Sequence, residues 1–186
     1  MKYTISKGNH YNDGKIRMIT ASVFGAVSAD LVVRGFNLHL SSELGRYVRF
    51  PKNAWYPRSA VEYTGYNKLV GFGGLNIHKY SARIVWQPDF NRPGYINTYL
   101  YVYGHLGNKW ESKFITSVKT GEVIKLSVSA EEAHYMGIVN DVCKILPADK
   151  TPHFIKAEPY FGGKSTAPYD ITIEMWKVWY YERFIR

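Results

Sequence analysis

The sequence predicts an all-β fold, a jelly-roll or concanavalin-like antiparallel β-sandwich. Short runs rich in β-branched and aromatic residues recur along the 186 residues, and Gly, Asn, Asp or Pro separates most of them. Helical spacing of apolar residues occurs only in "ADLVVRGFNLHLSSEL", which contains Gly35 and many β-branched residues, and in "SAEEAHYM", which is about one turn long. Many short strands with so little helix are typical of sandwiches. The length suits a single domain, residues 1–186.

The strands predicted in the first half of the chain are runs of β-branched, aliphatic and aromatic residues. In order they are "YTIS", "KIRMITASVFGAV", "DLVVRGFNLHL", "GRYVRF", "KLVGFGG" and "SARIVWQ". The stretch from Phe50 to Lys68 is the longest irregular segment and is rich in aromatic residues and proline. Long loops on a β-scaffold are frequent sites of function, so this segment is a candidate for one.

The strands predicted in the second half follow the same composition. In order they are "YINTYLYVY", "WESKFITSV", "GEVIKLSVS", "HYMGIVN", "VCKIL", "HFIKAEPYF" and "YDITIEMWKVWYY". The "YFGG" at the end of the sixth run, where two glycines follow its last two residues, indicates a hairpin or a bulge. Pro168 stands where a strand can begin.

The charge and composition limit the classes of partner. The net charge is +9 with no run of five or six basic residues, so we expect no specific nucleic-acid binding, whereas an acidic glycan or an acidic protein surface fits. The start of the chain lacks the apolar segment of a secretory signal and no stretch has the length of a membrane span, so we expect synthesis in the cytoplasm and no membrane insertion. Cys143 is the single cysteine and is expected to be a small buried hydrophobe.

The segment "NTYLYVY" carries tyrosine at every second position. Side chains alternate between the two faces of a strand. The two sets are Tyr99, Tyr101 and Tyr103 on one face and Thr98, Leu100 and Val102 on the other. The second set is the better candidate for the core, which leaves the tyrosines as a candidate platform for stacking sugar rings. The alternative is that the tyrosines fill the inner layer of the sandwich.

The segment "NIHKYSARIVWQ" places an arginine in the middle of a strand. Arg83 is either a solvated or edge residue, or a residue that binds a carboxylate of a sugar or a neighbour. A carbohydrate lyase needs a base, often Tyr or His, and a group such as Arg that neutralises the uronate. Residues of these types are His78, Arg83, Tyr99 and Tyr101.

Known catalytic motifs are missing from the sequence. It has no Gly-x-Ser-x-Gly, no His-Glu-x-x-His, no phosphate loop and no Cys-x-x-Cys, and its histidines lie far apart. We therefore expect no enzyme activity, no catalytic residues, no metal site and no cofactor.

The C-terminal stretch "MWKVWYYERFIR" is aromatic on both alternating faces and carries several basic residues. Aromatic and arginine-rich patches mark interfaces, so residues 176–186 are a candidate docking tail for a neighbouring subunit. The alternative is a central strand buried on both faces. The candidate contact residues are Trp176, Trp179, Tyr180, Tyr181, Phe184 and Arg186.

Three short motifs, "KGNHY", "NKLVGF" followed by "HKYSARIVW", and "PYFGGKSTAPYDITI", resemble β-sandwich proteins of tailed phages of gut Bacteroidetes, including crAss-like phages. The motifs lie between Lys7 and Ile173. The resemblance implies a lectin-like jelly roll in a virion component of capsid, head fibre or tail, with other virion proteins, copies of itself and a bacterial surface glycan as partners. The chain has one histidine in "HKY" and Tyr169 in "APYD" where the relatives carry histidines, so a site built on those histidines would be absent here.

The sequence therefore favours a non-enzymatic virion structural protein with a glycan-binding set. The alternatives are a polysaccharide lyase and a stand-alone carbohydrate-binding module. An enzyme requires converged His, Tyr and Arg side chains, whereas a decoration protein requires a large self-complementary apolar surface. The predicted glycan ligands are His78, Arg83, Tyr99, Tyr101 and Tyr103.

Overall fold

The computed structural model describes residues 2–5, 42–73, 81–105, 109–130, 134–147, 155–157, 159, 161–162 and 166–178. Within these residues the chain forms eleven strands and two short 3-10 turns, Lys52–Ala54 and Arg58–Ala60. The strands are β1 (Lys2–Ile5), β2 (Ser42–Arg49), β3 (Asn67–Gly73), β4 (Ser81–Pro88), β5 (Tyr95–His105), β6 (Lys109–Lys119), β7 (Val123–Ala130), β8 (His134–Val139), β9 (Val142–Pro147), β10 (Ile155–Ala157) and β11 (Ile171–Lys177).

The strands form two antiparallel sheets packed face to face. The six-stranded sheet has the order β1-β11-β2-β7-β8-β9 and the five-stranded sheet has the order β10-β3-β4-β5-β6. Consecutive strands pair within two groups, β3-β4-β5-β6 and β7-β8-β9. In contrast, β1, β2, β10 and β11 pair with strands distant along the chain. The predicted all-β antiparallel sandwich of the jelly-roll class is confirmed.

The predicted strands match the described strands closely in the second half of the chain. The two long runs "KIRMITASVFGAV" and "DLVVRGFNLHL" lie outside the described residues. The short stretch with helical spacing, "SAEEAHYM", contains the end of β7 and the start of β8. In the described part of the chain, no helix is long and apolar enough to cross a membrane.

The core lies between the sheets and is built from alternate residues of each strand. In β4, Ala82, Ile84 and Trp86 are completely buried in it. The facing sheet contributes apolar side chains from all six of its strands. They include Ile5, Val48, Ile124, Leu126, Val128, Tyr135, Leu146, Ile171 and Ile173. Each strand therefore has one apolar face that is removed from water, which is the main source of stability for a sandwich.

The two sheets approach most tightly at Gly137 in β8. A Cβ atom at this position would lie 2.9 Å from Ile84 Cδ1 and 3.1 Å from Leu100 Cβ, both in the opposite sheet. The absence of a side chain therefore lets the five-stranded sheet pack against the backbone of β8. Interiors are close-packed, so a larger residue here displaces its neighbours.

Cys143 corrects one expectation from the sequence. Its side chain is exposed, whereas we expected a buried one. It lies opposite Ile138 in the last strand of the six-stranded sheet, and both residues alternate with core residues such as Leu146 and Val139. The outward face of β9 therefore presents Cys143 to solvent.

Replacing Gly137 by valine should destabilise the protein by about 1–3 kcal/mol, the usual cost of overpacking a core. The extra methyl groups would push Ile84 and Leu100, in the five-stranded sheet, away from the six-stranded sheet. Urea unfolding measures the change. Ile138→Val, on the opposite face of the same strand, is the control and should change the free energy of unfolding by less than about 0.5 kcal/mol. Equal stabilities of the two variants would contradict the close approach of the sheets.

Candidate functional site

The row of tyrosines in β5 lies on the outer face of the five-stranded sheet. Leu100 and Val102, which alternate with it, are completely buried in the core between the sheets. Tyr99 and Tyr103 are half-buried, and Tyr101 is 6% exposed without being part of that core. The alternative in which the tyrosines fill the inner layer is therefore wrong.

The strands on either side of β5 complete this surface, which we call the tyrosine face. Residues directly opposite each other in an antiparallel pair lie on the same side of the sheet. In β4, Arg83 lies opposite Tyr101 and Val85 lies opposite Tyr99. The partners in β6 are Trp110 opposite Tyr103, Ser112 opposite Tyr101 and Phe114 opposite Tyr99.

Arg83 is completely buried on the tyrosine face. It lies in β4, between β3 and β5, so the interpretation as a solvated or edge arginine is wrong. Its partner in β3 is Gly71. A Cβ atom at Gly71 would lie 2.7 Å from the Arg83 Cα and 2.8 Å from its Cγ. Gly71 therefore provides the space in which the stem of Arg83 lies flat against the sheet.

A second buried cation, Lys68, lies beside Arg83 and was missed by the sequence analysis. It is 9% exposed, and its Nζ lies 5.2 Å from the centre of the Tyr101 ring. Nζ donates a hydrogen bond to the Tyr66 carbonyl at 2.7 Å. Burial, and secondarily the nearby charge of Arg83, lowers the pKa of Lys68 to about 8. A lysine held in this way is close to its titration range at neutral pH.

A β-bulge brings Lys68 onto the tyrosine face. The register between β3 and β4 shifts between Lys68 and Val70, so that Lys68 pairs with Val85 and Val70 pairs with Ile84. Bulges redirect side chains and are frequent beside functional sites. The sequence "NKLVGF" carries no signal for this shift. The sequence alone therefore predicts Lys68 only as the first residue of an apolar strand.

Tyr66 packs against the tyrosine row and supplies the carbonyl that Lys68 binds. Its ring centre lies 4.8 Å from that of Tyr99 and 5.6 Å from that of Tyr101. Its hydroxyl is hydrogen-bonded to Ser112 at 3.1 Å. Gly162 packs against the Tyr66 carbonyl so closely that a Cβ atom would overlap it, and its N–H binds Asn67 Oδ1 at 3.0 Å. The glycine of the "YFGG" motif is thus a point of close approach that fixes the carbonyl bound by Lys68.

Two further aromatic side chains of β6 are the most exposed part of the tyrosine face. Trp110 is 59% exposed and Phe114 is 48% exposed. The Trp110 ring lies nearly parallel to that of Tyr101, at 11° and 5.7 Å between centres. Phe114 meets Tyr99 edge to face at 5.6 Å. Each exposed ring is therefore held by a tyrosine of the row, and the two rings form an apolar surface at the edge of the site.

The hydroxyl of Tyr99 forms a hydrogen bond at one end of the row of tyrosines. Gln87 Nε2 donates a hydrogen bond to it at 2.9 Å. Burial, as the largest effect, raises the pKa of Tyr99. The hydroxyl therefore stays protonated at neutral pH and can donate a hydrogen bond or a proton.

The structure brings together four of the five predicted glycan ligands. Arg83, Tyr99, Tyr101 and Tyr103 share the tyrosine face, whereas His78 lies outside the described residues. In the parts of the chain that the structure describes, no group of three or more His, Cys, Asp or Glu side chains is placed to hold a metal ion.

The first two residues of the candidate docking tail belong to a strand of the sandwich. Trp176 and Lys177 belong to β11, where Trp176 lies opposite Tyr47 of β2. The Arg49 guanidinium lies 5.7 Å from the Trp176 ring on the outer face of the six-stranded sheet. The remaining contact residues, Trp179, Tyr180, Tyr181, Phe184 and Arg186, lie outside the described residues, so docking by this segment stays a prediction.

Comparisons with known proteins give the fold a context. No protein-family model and no curated protein matches the sequence. The structure is similar to an alginate lyase from Alteromonas sp. 272, with a TM-score of 0.49 and 11% identity over 75% of this chain and 73% of that one. It is also similar to the polysaccharide lyase family 18 protein aly-SJ02, with a TM-score of 0.46 and 11% identity over 75% and 74% of the two chains. At these identities the similarity concerns the fold alone.

The expectation that the chain has no enzyme activity is corrected by this comparison. Both similar structures are described as lyases. The expectation relied on the absence of linear catalytic motifs. A site assembled from side chains of several strands has no such motif, so this criterion does not exclude an enzyme.

The stability of the protein should rise with pH relative to a Lys68→Met variant. Below the folded pKa of about 8, Lys68 is charged in both states and its burial costs free energy. As the pH rises further, the native state loses the proton while the unfolded state, with its higher pKa, keeps it. The unfolded state then binds more protons, so stability increases.

The gain between about pH 7 and about pH 9.5 should be roughly 2 kcal/mol. Urea unfolding at a series of pH values measures the difference between wild type and Lys68→Met. The control is Lys125→Met, which removes an exposed lysine near the Tyr47 ring on the other sheet, and it should keep the pH dependence of the wild type. A difference that does not change with pH would contradict the buried, charged state of Lys68.

Proposed function

We propose that the protein is a carbohydrate-active enzyme that acts on an acidic polysaccharide, with the tyrosine face as its site. The observation that carries this proposal is the pair of buried cations, Arg83 and Lys68, on the same sheet face as a row of tyrosines. The aromatic rings suit the apolar faces of sugar rings. The cations suit the carboxylate of a uronate.

The reaction that best fits these groups is an elimination, as in a polysaccharide lyase. A base removes the proton on the carbon that bears the carboxylate, the bond to the leaving sugar oxygen breaks, a carbon–carbon double bond forms, and the leaving oxygen takes up a proton. Negative charge grows on the uronate carboxylate as the first proton leaves. Fixed positive charges in a partly desolvated site stabilise such charge more strongly than water does.

The roles of the side chains follow from burial and charge. Arg83 and Lys68 lie beneath the surface and act on the carboxylate through their field. Tyr99 and Tyr103 reach the surface and are the candidates for proton transfer. Because burial raises the pKa of Tyr99, its hydroxyl suits the donation of a proton to the leaving oxygen. Tyr103 is the candidate for the opposite role.

The virion role, virion partners and virion localisation expected from the phage resemblance stay predictions. A catalytic site of this kind is compatible with a phage particle that must pass a bacterial surface glycan.

The protein should release an unsaturated product from at least one acidic polysaccharide among alginate, heparin, hyaluronan and pectin. The double bond formed by elimination gives an ultraviolet absorbance that measures the rate. Lys68→Met should lower kcat/KM roughly tenfold, because it removes one of the two charges that face the uronate. Tyr99→Phe should lower kcat, because it removes the proton donor and keeps the ring.

The matched control is Lys125→Met, which removes a lysine near a tyrosine ring on the other sheet and should keep the wild-type rate. Thermal melting of each variant shows whether it is folded. Absence of product on all four polymers, or equal rates for Lys68→Met and wild type, would refute the proposed function.

A further inference from the structure

We infer that Trp110 and Phe114 form an extended sugar-binding rail, so that the ligand of the tyrosine face is bound over several sugar units and not over one. This inference rests on the proposed function and adds the length of the substrate to it. It comes from the geometry of β6, which contributed no residue to the site expected from the sequence.

The rail follows the strand direction. Trp110 and Phe114 are four residues apart in β6, and both point to the tyrosine face, opposite Tyr103 and Tyr99. A strand rises about 3.4 Å per residue, so the two side chains are separated by roughly 13 Å. This distance exceeds the width of one pyranose ring, so one sugar unit cannot cover both aromatic groups.

The rings of the rail are oriented for stacking and accessible to a ligand. Trp110 stacks on the buried Tyr101 ring at 11°, which fixes the orientation of the indole and leaves its outer face accessible to a ligand. Phe114, in edge contact with Tyr99, extends the apolar surface at the other end. Both residues are about half exposed, at 59% and 48%, although exposure of large aromatic groups to water is unfavourable.

Charge distinguishes the two parts of the surface. Lys68 and Arg83 lie in β3 and β4, on one side of Tyr101, whereas the rail lies on the other side, in β6. A uronate placed over the cations therefore leaves its neighbouring units in the same chain to stack on the rail. An acidic oligosaccharide is the occupant that satisfies both the charge and the aromatic surface.

Isothermal titration with acidic oligosaccharides of defined length tests the rail. The probes are a disaccharide and a hexasaccharide prepared from alginate and from polygalacturonate, with cellohexaose as a neutral hexasaccharide. Wild-type protein should bind one of the acidic hexasaccharides more tightly than its disaccharide. Trp110→Ala and Phe114→Ala should each weaken hexasaccharide binding about tenfold and change disaccharide binding by less than about twofold.

Two further variants are controls. One tests whether an aromatic ring at position 110 is sufficient, and the other tests whether removal of an aromatic side chain elsewhere affects binding. Trp110→Tyr keeps a flat aromatic group and should retain hexasaccharide binding close to that of wild type. Trp176→Ala removes a half-buried aromatic side chain on the outer face of the six-stranded sheet, and it should have no effect.

The outcomes separate the rail from the proposed function. If Trp110→Ala weakens disaccharide and hexasaccharide binding equally, or changes neither affinity, the rail is refuted. Binding of the acidic disaccharide by wild type would still support an acidic site. If cellohexaose binds as tightly as the acidic hexasaccharides and depends equally on Trp110, the rail stands and the acidic substrate class is refuted. If wild type binds no oligosaccharide of any kind, both are refuted.

Discussion

The burial of two positive charges on one face of a sheet is the constraint that organises this molecule. Transfer of an ammonium or guanidinium group out of water is costly unless polar and aromatic groups compensate for the lost hydration. Lys68 has a carbonyl oxygen at 2.7 Å and a tyrosine ring beneath its ammonium group. Gly71 and Gly162 allow the close contacts that this arrangement needs. Two glycines, one bulge and one aromatic row are thus consequences of placing Lys68 and Arg83 where they are.

Strand alternation links this constraint to the stability of the whole fold. In β5, Leu100 and Val102 hold the two sheets together, while the tyrosines between them form the outer surface. A slip of one residue in register would place hydroxyls in the core and aliphatic groups in the site. The close packing of Leu100 and Ile84 against Gly137 opposes such a slip, because a side chain brought to the position of Gly137 would meet them at about 3 Å. The packing of the core therefore also positions the site.

The sequence was a good guide wherever a period of two decided the outcome. It predicted the strands of the second half of the chain and the placement of Tyr99 and Tyr101 on the face opposite Leu100, while it left open which of these two faces is buried. These depend on local alternation and on the low cost of burying aliphatic side chains. It also predicted the class of fold, because many short strands without helices can bury their apolar faces only by forming layers.

The sequence was a poor guide wherever pairing between strands decided the outcome. Lys68 reaches Arg83 only because β3 has a bulge relative to β4. Trp110 faces Tyr103 because of the register between β5 and β6. Cys143 is exposed because β9 ends its sheet. None of these relations leaves a local pattern, and the same limitation produced the expectation of no enzyme activity, since a site made from four strands has no linear motif.

Lys68 joins the stability of the fold to the charge of the site through one proton. When the proton leaves, the native state is relieved of a buried charge and becomes more stable, but the tyrosine face loses one of its two cations. A carboxylate placed over the face would reverse this, because an adjacent negative charge favours the protonated lysine and raises its pKa from about 8 towards the ordinary value. Binding of an acidic ligand and protonation of Lys68 must therefore strengthen each other by the same factor. A charge that weakens the fold is the arrangement that the proposed role of Lys68 towards an acidic ligand requires.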